Sequence, residues 1–240
     1  MIKIKKELFA GILYLNAIYD PNLYIEGAVK MQKIIYLLQN FLKDLNEDLK
    51  YEYKPNIFGP YSKELRVDLE MEETSRLIEI SSSEKETIFD DEDRMSIIRY
   101  DYKLNIEKIS LIREIFSRYD KNTRYIFYGI RNLAFHDAKK IVGLVYKLYP
   151  EMMINSRIRE EIKSIPIEDL KKLLGTFFSS IPYDLGKEII ESNKNILEIE
   201  PMIYERILVK VSKVKSRDED QLIEEIIKEN RMLLENLKKY

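Results

Sequence analysis

Residues 27–80 restrict the fold more than any other stretch of this chain. They contain GAVKMQKIIYLLQNF, LKYEYKPNIFGPYSKEL and RVDLEMEETSRLIEI in succession. Met31, Ile34, Ile35, Leu38, Phe41, Leu42 and Leu45 recur at helical spacing. They predict a buried stripe on a helix from about Glu26 to Leu45, with Lys30, Lys33 and Lys43 mainly on its other faces. Residues 49–54 alternate as a strand does, and Pro55 removes a ladder donor and ends it. Gly59-Pro60 then breaks the chain. Ser62 is placed to cap a second amphipathic helix that turns Leu65 and Leu69 inward.

The flanks complete the pattern. Ile4, Leu8, Ile12, Leu15 and Ile18 predict a first helix over residues 3–19, closed by Asp20-Pro21-Asn22. This start reads as an amphipathic helix rather than a signal peptide, because no small-residue cleavage site follows the apolar stretch. RLIEIS (76–81) and SIIRYDYKL (96–104) read as two short strands joined by the solvated link SSEKETIFDDED. Helices resume near Ile106 and run to Leu148, where Tyr149-Pro150 stops them. Asn155 or Ser156 caps a short helix to Ile162, and Pro166 opens another. Further helices are predicted at 183–192, 201–214 and 218–239. The fold class expected is mainly α (α+β): an N-terminal winged helix-turn-helix with a small β-wing in residues 1–104, then an all-helical region in 105–240.

Charge bears directly on what such a scaffold can bind. The 240 residues carry a net charge of −2, so a role on the phosphate backbone needs a local basic patch. Between Glu64 and Asp93 twelve acids face only Arg66, Arg76 and Lys85. Phosphate repulsion there opposes the usual docking of a winged helix on duplex DNA. Glu64, Asp68, Glu72, Glu73, Asp90 and Asp91 are therefore the expected face for a basic protein partner. The counterweight lies in residues 108–147, with nine cations against three acids. Arg113, Arg118, Lys121, Arg124, Arg131, Lys139 and Lys140 are the candidate nucleic-acid contacts. Tyr119, Tyr125, Phe127 and Tyr128 are interleaved with them, to stack on bases or to pack in a core.

Enzyme motifs are absent from the sequence. It has no cysteine, which excludes disulfides and thiolate metal sites and fits a cytoplasmic protein. The seven glycines are scattered singly, so no phosphate-cradling loop is present. The one histidine, in His136-Asp137, reads as an ordinary helix residue rather than a general base. Asp90-Asp91-Glu92-Asp93 lacks the spacing of a calcium loop. No cofactor or metal is expected. No apolar run is long enough to cross a membrane. The abundance of Lys and Glu resembles the ion-pair-rich surface of a thermophile. In the last helix, Ile223, Ile227, Asn230, Leu234 and Leu237 form a seam that packs on its own domain or pairs two copies as a homodimer.

Lys30-Met31-Gln32-Lys33-Ile34-Ile35-Tyr36-Leu37, followed by Phe58-Gly59-Pro60-Tyr61-Ser62-Lys63-Glu64-Leu65, resembles the pattern of the YwgA-like winged-helix proteins and, through them, the SocA-like antitoxin domain called Panacea. Leu144-Val145-Tyr146-Lys147-Leu148-Tyr149-Pro150 is similar to a Tyr-Pro stretch after the wing in archaeal members. The resemblance covers residues 5–160. It implies a winged helix used in regulation or toxin neutralisation. The first expectation is thus a non-enzymatic, antitoxin-like or adaptor module that binds protein. The alternative is a regulator of double-stranded DNA using residues 108–147.

Overall fold

The computed structural model describes residues 4–20, 23–42, 51–88 and 94–214. The chain order is α1 (Ile4–Tyr19), β1 (Ile25–Glu26), α2 (Ala28–Leu42), β2 (Lys54–Asn56), β3 (Gly59–Tyr61), α3 (Lys63–Thr74), β4 (Ile78–Ile88) and β5 (Arg94–Leu104). It continues with α4 (Ile109–Ser117), α5 (Lys121–Ala134), α6 (Ala138–Leu148), α7 (Arg159–Lys163), α8 (Ile167–Phe178), α9 (Tyr183–Ser192), α10 (Asn195–Ile199) and α11 (Ile203–Val214). Among the described residues the protein is mostly helical with two small antiparallel sheets, an α+β architecture. The final segment, 218–239, and the acids Asp90 and Asp91 lie outside the described residues.

α2 sits at the centre. It packs on α5, α6, β3 and β1 at once, so it has no broad solvent face. Met31, Ile34, Ile35, Leu38, Phe41 and Leu42 are buried as their spacing predicts, and Leu45 and Lys43 lie outside the described residues; Leu37, Lys30 and Lys33 are buried too. The periodicity assigned these lysines to outer faces, and the surrounding elements remove those faces. α1 packs on α4 and α5. One continuous apolar core therefore runs from Phe9 through Phe127 and Phe177 to Ile207 and crosses residue 104.

The strands depart from the sequence reading in three places. Glu26, expected to open the second helix, lies in β1. There Ile25 pairs with Tyr102 and Glu26 with Asp101, and Gly27 turns out of the strand at φ +84°. Its N–H bonds the Tyr100 carbonyl and the Asp101 carboxylate, both at 3.0 Å. Pro55 does not end a strand but lies within β2, opposite Pro60 of β3. The two-residue turn Ile57-Phe58 makes Asn56 and Gly59 the hydrogen-bonded pair. The next pair out, the two prolines, needs no N–H. The expected short wing strands are eleven residues each, with Ile78 opposite Leu104 and Ile88 opposite Arg94. Most of the polar link is strand, because β5 offers it a continuous ladder from Ile78 to Ile88.

Candidate functional site

α3 is held in place by side chains from the centre of the molecule. The Gln32 carboxamide takes both backbone groups of Ser62: its Nε2 donates to the Ser62 carbonyl at 3.0 Å and its Oε1 accepts from the Ser62 N–H at 2.9 Å. Ser62 in turn caps α3, its hydroxyl accepting from the Leu65 N–H at 3.3 Å. One residue along α2, Lys33 Nζ donates to the Pro60 carbonyl at 3.0 Å. Lys33 is only 2% exposed. Burial drives its pKa down to about 7, since nothing charged replaces the lost water. Gly59 makes this approach possible. It sits at φ +90°, and a Cβ there would lie 2.9 Å from the Tyr146 ring and 3.1 Å from Lys33 Cε.

The Tyr-Pro run arrives at the same junction. Tyr36 meets Tyr53 and Tyr149 edge-on at 4.9 and 5.1 Å between ring centres. Tyr146 donates to the Ser156 hydroxyl at 2.8 Å. Ser156 is thus not a helix cap, and α7 begins at Arg159 with no side-chain cap. The three motifs that carried the family resemblance meet in space, and what they do there is seat α3 on α2.

Seated this way, α3 turns one face inward and one outward. Leu65, Leu69 and Glu72 are four and then three residues apart, and all three are buried. Glu72 is 2% exposed, so it is no part of an outward acidic face. A charge count treats every carboxylate as solvated, whereas the helical stripe decides which are. Asp68 is half-buried and accepts from the Tyr51 hydroxyl at 2.8 Å. Burial and that bond raise the Tyr51 pKa. Glu64 and Glu73 are exposed, and Glu70 pairs with Arg66 at 3.1 Å. Two apolar side chains share the outward face, Val67 at 39% exposure and Met71 at 51%. A shallow hollow of about 370 Å³ lies at its start, lined by Lys63, Glu64, Val67 and Asp68.

The basic candidates are spread over three helices. Arg113 is exposed on α4, where Arg118 pairs with Glu114 at 2.6 Å. Lys139 and Lys140 on α6 reach across to Glu161 and Asp169 at 2.9 and 3.0 Å. On α5, Lys121 lies over the Tyr125 ring and Arg131 over Phe135, 5.6 and 4.4 Å from the ring centres. Arg124 is half-buried. Arg118, Lys139 and Lys140 thus have carboxylate partners within the chain, which lowers the patch's outward charge. Of the interleaved rings, Tyr119 and Phe127 are buried and stacked on each other at 5.3 Å. They are core, while Tyr125 and Tyr128 stay half-exposed.

His136 is half-buried, and burial and the nearby Lys140 and Lys30 ammonium groups lower its pKa. Asp137 caps α6 by accepting from the Lys139 N–H at 2.7 Å. Among the described residues no group of three or more Asp, Glu and His side chains is placed to hold a metal ion, and no helix is long and apolar enough to cross a membrane. No protein-family model matches the chain, and comparison with curated proteins gives no match.

Proposed function

We infer that this protein is a non-enzymatic binding module whose outward α3 face meets a basic protein partner, in the manner of an antitoxin-like or adaptor winged helix. The observation that carries this reading is the composition of that face. Val67 and Met71 stand exposed one turn apart, with Glu64, Glu70 and Glu73 around them. An exposed apolar centre with a charged rim is the layout of a protein-binding surface, and carboxylates at this position repel phosphate. The element order adds support. Apart from the short β2–β3 hairpin between α2 and α3, the order is helix, strand, helix, helix and two strands with the first strand pairing the last, which is compatible with a winged helix. In this reading residues 1–104 form the winged unit and the following helices brace it through the shared core.

Capture with the immobilised full chain tests the proposal. A partner should be retained by the wild type, released by salt, and lost with Met71→Asp or the double variant Glu64→Lys/Glu73→Lys. Met71→Asp should change folding stability by no more than about 0.5 kcal/mol, as an exposed position. Equal capture by wild type and both variants would refute the reading. A salt-sensitive shift of duplex DNA that persists in Met71→Asp and disappears in Arg113→Glu would replace it with the DNA-binding alternative.

A further inference from the structure

The wing has an open edge, and its sequence is self-complementary. In the sheet order β1-β5-β4, β4 is an outer strand. The backbone polarity of the hairpin follows from its bonds. Gly27 N–H bonds the Tyr100 carbonyl, so Tyr100 and Tyr102 direct their backbone groups toward β1. Arg99, Asp101 and Lys103 then direct theirs toward β4, where they face Ser83, Ser81 and Glu79. The Asn105 N–H to Leu77 carbonyl bond, 3.1 Å, agrees. The alternate β4 residues Ile78, Ile80, Ser82, Glu84 and Glu86 therefore turn their N–H and C=O groups outward. Among the described residues no backbone hydrogen bond closes that edge.

Edges of this kind are usually blunted by lysine, proline or a bulge. Here the middle of the strand is Ser81-Ser82-Ser83, uncharged and exposed. An antiparallel pairing of two β4 strands about a twofold axis at Ser82 brings Ser82 opposite Ser82. It also places Ile80 opposite Glu84, Ile78 opposite Glu86 and Glu79 opposite Lys85. The Glu79–Lys85 match occurs twice, once on each side of the axis. Within each copy Glu79 already pairs with Lys103 on β5 at 2.8 Å, so charge alternates Lys103, Glu79, Lys85 across the joined strands. No like charges stand directly opposite between Ile78 and Glu86. Centring the axis on Ser81 instead sets Glu79 against Ser83, and centring it on Glu84 sets Glu84 against itself.

We propose that two copies of this chain associate through their β4 edges, centred on Ser82, to form one continuous six-stranded antiparallel sheet. The paired backbone groups belong to residues 78–86 and share no residue with the outward α3 face of residues 64–73.

Sedimentation and light scattering of the full chain over a concentration series test it. The wild type should be a dimer. Ser82→Pro removes the outward N–H from both copies and no bond of the β4–β5 ladder, so it should weaken the dimer about a hundredfold with an unchanged circular dichroism spectrum. Glu79→Lys or Lys85→Glu alone should weaken it, and the exchange Glu79→Lys/Lys85→Glu should restore it, which sets the register without proline. A monomeric wild type overturns the proposal. So does a dimer that survives Ser82→Pro, since it would be held elsewhere, as by residues 218–239. Exchange variants no tighter than the single ones also overturn it.

Discussion

Lys33→Met should change how stability depends on pH, in a direction fixed by where the amine sits. An unfolded lysine titrates at its ordinary value of 10.5, and buried Lys33 titrates at about 7. Between these values the unfolded chain holds one more proton than the folded one. Stability therefore rises with pH through that window, approaching about 1.4 kcal/mol per pH unit, and this contribution is flat below it. At pH 7 the shift costs the fold about 4 kcal/mol, and by pH 9.5 about 1.4 kcal/mol. Methionine fills similar space and does not titrate, so the wild type should gain about 3 kcal/mol on Lys33→Met between those two pH values. The difference between the proteins is the quantity to follow, because the buried tyrosines and other groups common to both cancel. Methionine also leaves the Pro60 carbonyl without its donor. That cost is the same at every pH and shifts the curve without tilting it. Urea unfolding of both proteins at several pH values from about 7 to about 9.5 gives the difference directly. A difference that does not change with pH would refute the reasoning, because Lys33 would then be buried as an ammonium ion.

Two other substitutions test the seat of α3. Gly59→Ala should destabilise by about 2–4 kcal/mol, combining a left-handed backbone with a Cβ pressed against Tyr146 and Lys33, as read by the urea midpoint. Gln32→Leu should cost about 2 kcal/mol, because the N–H of fully buried Ser62 loses its partner and its carbonyl keeps only the Arg66 N–H, at 3.4 Å. The same variant should weaken partner capture through α3 even where the protein stays folded.

The elements that were legible in the sequence are those whose signal is local. α1, α2, α3, α8, α9 and α11 fall where apolar spacing and breakers put them, and Ser62 caps α3 as its type predicts. β1 was not legible, because two residues make a strand only when β5 offers a ladder. α10 has five residues and too short a period to read. Pro55 misled because its position in a ladder depends on which register faces it. At the candidate face, the acidic character of 64–73 was visible, but the separation of exposed Glu64 and Glu73 from half-buried Asp68 and buried Glu72 was not.

Sequence by itself determined the mostly helical content, the β4–β5 hairpin, the sign of the charge on each stretch and the absence of thiol chemistry. These follow from side-chain type and spacing along one element. Tertiary structure decided which charges count. It buried Lys33 and Glu72, gave Arg118, Lys139 and Lys140 carboxylate partners, and put Tyr119 and Phe127 in the core. It also showed that the motif residues Gln32, Lys33, Gly59, Ser62 and Tyr146 act on one another across more than a hundred positions of chain. The physical reason is that solvation belongs to a place in the fold: a charge or a carbonyl has a definite energy only once its neighbours have displaced the water.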